Sequence, residues 1–350
     1  MYPVHPLPGD HALLARCLSL IDAFNGKQVV VIGDVIADEF IYGRLSRISR
    51  EAPVLILKYD TTVITPGGAG NAANNAADLG AHVRLVGLVG REPVDRRLVA
   101  ALRPGVDTSW LVRPPGHRTT VKTRILAGSM HAARQQVVRI DREAPTKLNA
   151  ASHRRFEQIV SKAVDGCDAV LLSDYGHGLV TANLASMIRR LLHRSTRRRE
   201  TPILVDSRYD LLRYRGLTAC TPNQSEAEQL LGVRIEDDLR ALERAGRAIL
   251  KRTRTKATLL TRGSRGMALF QPGVRTEHIR IYGSDEVTDV TGAGDTVIAT
   301  MTVALAAGAS FYEAARLANC AGGLVVMKRG TATVSANELR RAVERDLASR

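Results

Sequence analysis

The sequence predicts an α/β fold: a mostly parallel sheet covered by helices on both faces, with a smaller β-sheet standing off it as a lid. Three observations carry this expectation. Compact apolar runs, the first of them rich in Val and Ile, recur at 28–32, 83–88, 169–172, 203–205, 218–220 and 258–260, apolar on both faces as strands of a covered parallel sheet must be. The segments between them are long enough for the helical crossovers that parallel strands require. Two stretches, 40–59 and 119–140, instead alternate apolar and polar residues, the pattern of half-exposed antiparallel strands.

In chain order, a polar leader runs into a helix, because 13–24 carries apolar residues at helical spacing. The first strand, 28–32, is followed directly by Gly33 and Asp34, with Asp38 four residues on. Carboxylates just past the C-terminal end of a parallel strand stand where open α/β sheets bind ligands, and they can accept hydrogen bonds from sugar hydroxyls. The alternative for Asp34 is a helix N-cap. Next come the first lid stretch (Val54, Ile56 and Lys58 alternate) and Pro66-Gly67-Gly68-Ala69-Gly70-Asn71, a Gly-rich turn opening a helix over 72–79 that Gly80 closes. This turn lacks the Gly-Lys-Ser/Thr ending of a P-loop and the spacing of a dinucleotide fingerprint; Asn71 offers a polyol both a donor and an acceptor. The second lid stretch alternates at Val121, Thr123 and Ile125. After the strand at 218–220, Thr221-Pro222-Asn223-Gln224-Ser225-Glu226 opens a helix. Asn223 followed three residues later by Glu226 reads as a capping box, or as an acidic group holding the water shell of Mg²⁺ beside a nucleotide. No internal repeat or low-complexity linker divides the chain.

The most informative segment is Glu286-Val287-Thr288-Asp289-Val290-Thr291-Gly292-Ala293-Gly294-Asp295-Thr296, followed by an apolar, Ala-rich run over 297–307. Small residues at the start of a buried helix let the backbone N–H groups of Gly292, Ala293 and Gly294 converge on an anion, with the helix dipole adding positive potential. A carboxylate at that point repels a phosphate, yet phosphoryl transfer needs one to orient and deprotonate the attacking hydroxyl. The alternative is Asp295 as a first-turn acid complementing the dipole.

Composition narrows the class further. The 350 residues are 45% hydrophobic and carry a formal net charge of +15, a balance that favours anionic partners without choosing among them. The basic runs Arg197-Arg198-Arg199 and Lys251, Arg252 and Arg254 read as solvated helix ends and loops, having no interleaved aromatics to stack on bases. Cys17, Cys167, Cys220 and Cys320 lack the paired spacing of a zinc site or disulfide framework and read as buried free thiols. Pro3, His5, Pro6, Pro8, Gly9 and Asp10 occupy the place where a signal peptide needs an apolar stretch, and nothing offers the roughly 18 uninterrupted apolar residues of a membrane span. The expectation is a cytoplasmic protein with no membrane partner.

Together these segments resemble the PfkB (ribokinase-like) family of carbohydrate kinases. Its two signatures are matched by 67–80 and 289–295, and its Asn-x-x-Glu element by Asn223 to Glu226. Within the family the resemblance is to the heptose 7-phosphate kinase branch, through Arg47-Ile48-Ser49, Glu51-Ala52-Pro53-Val54, Gln135-Gln136, Arg139-Ile140-Asp141, Leu172-Ser173-Asp174-Tyr175-Gly176 and Gly330-Thr331-Ala332-Thr333-Val334-Ser335. The resemblance implies a three-layer ribokinase-like core over residues 27–345 after a leader and helix (1–26) and before a short tail (346–350), with the lid at about 38–60 and 117–141. It implies an ATP- and Mg²⁺-dependent kinase of D-glycero-D-manno-heptose 7-phosphate that makes the 1,7-bisphosphate for ADP-heptose and lipopolysaccharide core synthesis. A separate enzyme would add the adenylyl group, since the chain stops at Arg350.

Residue by residue, the resemblance makes Asp295 the general base and Gly292, Ala293 and Gly294 the anion hole. Asp34, Asp38, Gly67, Gly68, Asn71, Arg124 and Gln136 would hold the sugar. Asn223, Glu226, Asp206, Arg208, Thr261, Gly263 and Gly266 would line the ATP side, with Glu226 toward Mg²⁺. Arg44, Arg47, Arg50 and Arg124 are candidates for the 7-phosphate, and the lid implies a homodimer. A monovalent cation such as K⁺ near Asp289 stays open. The chain departs from the branch at His177, where Lys is usual; at Arg50, where Pro is usual; at Asp206-Ser207-Arg208, in place of Asp-Pro-Lys; and in a longer hairpin at 128–133. Two other readings remain: a PfkB kinase for another sugar or sugar phosphate, and a non-catalytic, sugar-responsive regulator that binds nucleic acid.

Overall fold

The computed structural model describes residues 8–128, 135–143, 148–193, 200–283, 289–328 and 330–348. The hairpin tip at 129–133, the Arg197-Arg198-Arg199 run and residues 286–288 lie outside the described residues. In chain order the strands are β1 (Gln28–Gly33), β2 (Val35–Ile48), β3 (Leu55–Gly68), β4 (His82–Val86), β5 (Val106–Asp107), β6 (Thr120–Gly128) and β7 (Gln135–Arg142). They continue as β8 (Ala169–Asp174), β9 (Ile203–Ser207), β10 (Ala219–Cys220), β11 (Ala257–Thr261), β12 (Met267–Phe270) and β13 (Glu277–Ile279).

Among the described residues, nine strands form one sheet in the order β13-β12-β11-β10-β9-β8-β1-β4-β5. All are parallel from β11 to β5; β12 runs antiparallel to β11, and β13 pairs antiparallel with β12 at the far edge. The alternation of side chains along a strand divides the core into two layers. Val29 and Val31 of β1 pack with the helices Ala69–Asp78 and Ala293–Ala306, while Val30 and Ile32 pack on the other face with Ala150–Ala163 and Ala182–His193. This is the three-layer α/β/α arrangement. The helix Ala293–Ala306 is buried from Asp295 to Leu305, which is why it is built of small and apolar residues on every side. Its buried threonines stay satisfied by bonding back one turn: Thr300 Oγ1 donates to Thr296 O at 2.8 Å and Thr302 Oγ1 to Ile298 O at 2.7 Å. All four cysteines are buried free thiols.

The lid differs in construction from two separate antiparallel pairs. It is a single four-stranded sheet, β3-β2-β6-β7, whose central strands β2 and β6 run parallel from Ile36↔Thr120 to Arg44↔Gly128. Only Asp34 separates β1 from β2, so the lid grows directly out of the C-terminal end of a central core strand. The Gly-rich segment is likewise not a free turn: Gly67 and Gly68 close β3, and the following helix begins at Ala69. Gly67 permits a close approach, since a Cβ there would lie 2.3 Å from Asp38 Oδ2 and that carboxylate would have to shift. Arg44 pairs with Asp60 on the exposed part of the lid, and Arg47 and Arg50 are exposed, so none of these three reaches the cavity below.

Candidate active site

A cavity of about 440 Å³ lies between the inner face of the lid and the C-terminal ends of the core strands, within the size range of small-molecule sites. Asp295 stands at its floor, in the first turn of the helix Ala293–Ala306 and 4% exposed. The N-cap of that helix is Gly292, which has no side chain to cap it. For the Asp295 carboxylate, Asn71 Nδ2 donates to Oδ2 at 2.8 Å and the Tyr175 hydroxyl donates to Oδ1 at 3.0 Å. Burial pushes its pKa up to about 7, against the lowering effect of those two donors. A carboxyl poised there can exchange a proton near neutral pH.

Asn71 therefore faces the base rather than the cavity. It is 1% exposed, and Asn75 Nδ2 holds it by donating to Asn71 Oδ1 at 3.2 Å. Gly292 makes room for it: φ is +79°, and a Cβ would lie 2.5 Å from Asn71 Nδ2. Of the three helix-start amides expected as an anion hole, Gly292 and Gly294 line the cavity, whereas Ala293 N donates to Val290 O at 3.2 Å and is spent on the loop. Asp289 braces the same loop, accepting from Thr291 N at 2.9 Å and Gly330 N at 3.0 Å.

Asp34 is also displaced from its expected role. It neither caps a helix nor lines the main cavity; its Oδ2 accepts from Tyr175 N at 2.8 Å and more weakly from His177 N at 3.4 Å. Burial pushes its pKa up to about 6. Asp174 completes this brace, accepting from Gly176 N, Ser207 Oγ and the Tyr214 hydroxyl. The two aspartates thus fix the loop that presents Tyr175. His177 points away from the main cavity, into a small pocket with Asp34 and His117.

On the lid side Asp38, Gly68 and Arg124 line the cavity, with Arg124 Nη1 2.5 Å from Asp38 Oδ1. Gln136 is exposed on β7 and takes no part in the wall. At the opposite end, Asp206, Arg208, Asn223, Glu226 and Thr261 come together at the ends of β9, β10 and β11. Gly263 and Gly266 shape the turn between β11 and β12, where both have positive φ, and stay out of the wall. The capping box read for Asn223 and Glu226 is formed, with reciprocal bonds of 2.9 Å, and both residues still line the cavity.

Asp206 and Glu226 are candidates to hold a divalent cation. Both are held above the usual carboxylate range, first by burial, and Asp206 next by the charge of Glu226 facing it, so a cation between them would relieve both effects. Among the described residues no group of three or more His, Cys, Asp or Glu is placed to hold a metal ion. The hydroxyl of Thr221, buried in the same wall without a partner among the described residues, fits a nucleotide contact.

Among the cavity residues with no role assigned from the sequence are Lys122, Arg139 and Tyr175. For Lys122 and Arg139 the available signal was the alternation along β6 and β7, which separates their face from that of the exposed Val138 and Ile140.

The pfkB family carbohydrate kinase model matches residues 27–338. The chain is 40% identical over 323 residues to "Bifunctional protein HldE" of Geobacter sulfurreducens, covering 92% of this chain and 64% of that protein. It is 39% identical to the protein of the same name from Desulfatibacillum aliphaticivorans, covering 91% of this chain and 64% of the relative. The chain thus spans about two thirds of the length of these curated relatives, or slightly less. Among solved structures, Arabidopsis thaliana ribokinase complexed with ribose and ATP superposes with a TM-score of 0.68 at 20% identity, covering 92% of this chain and 99% of that one. Escherichia coli phosphofructokinase-2 in complex with substrates and products does so with a TM-score of 0.69 at 18% identity, covering 91% and 99%. The fold is the ribokinase-like one.

Proposed function

The chain belongs to the pfkB family of carbohydrate kinases, and from that premise we propose that it phosphorylates the anomeric hydroxyl of D-glycero-D-manno-heptose 7-phosphate with ATP, giving the 1,7-bisphosphate for ADP-heptose synthesis. Phosphoryl transfer to a sugar hydroxyl is the family activity; the heptose acceptor, ATP as donor and Mg²⁺ are this proposal. The observation that carries it is Asp295 at the cavity floor, oriented by Asn71 and Tyr175 beside Gly292 and Gly294. The 39–40% identity to proteins named HldE supports the heptose branch.

In the proposed reaction the acceptor hydroxyl lies against Asp295, which is ionised above about pH 7. The hydroxyl oxygen bonds to the γ-phosphorus as the bond to the β,γ-bridging oxygen breaks, and the hydroxyl proton passes to the Asp295 carboxylate. The amides of Gly292 and Gly294 face the charge on the migrating group. Asp206 and Glu226 would hold Mg²⁺, which when bound neutralises charge on the donor phosphates. Most of the acceleration then comes from positioning and electrostatics rather than covalent chemistry.

The proposal extends to a cytoplasmic homodimer formed through the lid, supported by apolar side chains exposed on it, among them Ile48 at 66% and Ile140 at 50%. No helix among the described residues is long and apolar enough to cross a membrane.

The test is mass spectrometry of products from ATP and a panel of heptose 7-phosphate, hexoses, pentoses and their phosphates. The expected result is a heptose bisphosphate whose new phosphate is lost on mild acid treatment, as a glycosyl phosphate is. Preferred turnover of another acceptor overturns the heptose assignment.

A further inference from the structure

A line of hydrogen bonds leaves the helix Ala293–Ala306 at Thr296, crosses to the neighbouring helix Ala69–Asp78, and returns to Asp295. The Thr296 hydroxyl donates to Asn75 Oδ1 at 3.0 Å, Asn75 Nδ2 donates to Asn71 Oδ1 at 3.2 Å, and Asn71 Nδ2 donates to Asp295 Oδ2 at 2.8 Å. Asn71 and Asn75 stand one turn apart on their helix and are each 1% exposed, and Thr296 is fully buried. Around them the two helices pack through small apolar residues, among them Ala72, Ala76 and Ala299. Polar atoms in such a place are costly unless each is matched, so the pairing within this line is specific.

Its direction is fixed at one point. Asn75 Nδ2 also donates to the backbone oxygen of Asn71 at 3.0 Å. A carbonyl oxygen only accepts, so the Asn75 amide must face Asn71 with its NH₂ group, whose two hydrogens serve the backbone oxygen and Oδ1. The Asn75 oxygen is thereby turned to Thr296, whose hydroxyl supplies its donor. For Asn71 the consequence is that its oxygen is engaged by Asn75 and its NH₂ is left for Asp295. An Asn71 amide rotated by half a turn would fill the same space, but it would set an oxygen against the carboxylate. A longer contact, Asn71 Nδ2 to Gly292 O at 3.5 Å, favours the observed orientation as well.

We propose that Asn75 and Thr296 are positioning residues for phosphoryl transfer: they fix which end of the Asn71 amide meets Asp295, so that the base faces a donor and not an oxygen. Neither residue lines the cavity; both act through Asn71. This rests on reading Asp295 as the base, and not on the identity of the acceptor.

The experiment measures steady-state kinetics of the full chain with ATP and the acceptor it uses best. Asn75→Leu keeps the volume and removes the orienting donor; kcat should fall about tenfold or more, with KM for ATP and for the acceptor within about threefold of wild type. In an Asn71→Ala background the same substitution should cost less than about twofold, because there is no amide left to orient. Thr296→Val keeps the shape and deletes the hydroxyl; kcat should fall about threefold, and Thr296→Ser should restore it to within about twofold. An equal loss from Asn75→Leu in both backgrounds marks a merely structural role and overturns the proposal, as does a Thr296→Ser variant no better than Thr296→Val.

A readout without turnover follows the Asn71 Nδ2 hydrogens by NMR of the chain labelled with ¹⁵N-asparagine, identified by their loss in Asn71→Ala. Asn75→Leu should exchange them with D₂O about tenfold faster or more than wild type, and equal protection in the two proteins contradicts the proposal. If Asp295→Asn turns over like wild type, the reading of the base fails; faster exchange in Asn75→Leu would still show that Asn75 holds the amide.

Discussion

Tyr175 donates its hydroxyl hydrogen to Asp295 Oδ1 at 3.0 Å, so the proposed base is held by a proton donor on one oxygen while Asn71 holds the other. A carboxylate has about four acceptor positions, which leaves room for the substrate hydroxyl without displacing either neighbour. Removing the phenol should therefore change proton affinity before it changes binding. Tyr175→Phe loses a bond that favours the ionised carboxyl, and the pKa of Asp295 rises above about 7. The expected outcome is a kcat about three- to tenfold lower at pH 6.5 that recovers by pH 9. A pH profile shifted toward alkali confirms it, whereas a uniform loss at every pH contradicts it.

Asn71 offers a sharper contrast. Asn71→Asp would place a second carboxyl within hydrogen-bonding distance of Asp295 Oδ2, 2.8 Å in the native pair, and two carboxylates that close share one proton. A shared proton at neutral pH removes the base. Turnover at pH 7.5 is expected to fall further in Asn71→Asp than in Asn71→Ala, by about tenfold or more. Equal losses in the two variants would show that only the amide's shape matters.

The same burial has a consequence for stability. The carboxyl of Asp295 titrates near 7 in the folded chain against the ordinary 3.8, so the native state holds the extra proton between those values. The stability contributed by this group is therefore greatest below about pH 4 and declines as pH rises to about 7. Asp295→Asn should raise Tm at pH 8 by about 2 °C or more and by less at pH 5. The amide can still accept from Asn71 and donate to the Tyr175 oxygen, so no partner is orphaned. Melting curves at the two pH values decide it.

Glu226 both caps a helix and faces Asp206. Glu226→Gln retains the capping box, which accepts either residue, but removes one negative charge from the proposed cation site. The Mg²⁺ concentration for half-maximal activity should rise about tenfold, with Tm nearly unchanged. An unaltered Mg²⁺ requirement would take Glu226 out of the metal site.

Much of this arrangement was legible in the residues, and the rest fails for specific reasons. Apolar runs located the core strands, down to β10 within 218–220, because parallel strands buried on both faces carry that signature; the two-residue strand β5 is too short to show a period. The helix start at Gly292 to Asp295 announced itself through small residues beside an acid. Asp34 and Asn71 lie as near the site as expected, but sequence cannot tell a side chain that meets the ligand from one that holds the residue that does; Asp34 braces Tyr175 and Asn71 braces Asp295. Lys122 and Arg139 went unassigned because alternation in a half-exposed strand separates two faces without saying which faces water. In this lid the charged face turns inward.

The central claim is that the Asp295 carboxylate takes the proton of the attacking hydroxyl. The most direct measurement is the single-turnover rate of phosphoryl transfer from ATP to heptose 7-phosphate, or to whichever acceptor the panel selects, by wild type and Asp295→Asn at saturating substrates and pH 8. A rate lower by about 10²-fold or more in the variant, with ATP still bound, is the predicted result; transfer within about twofold of wild type would contradict it.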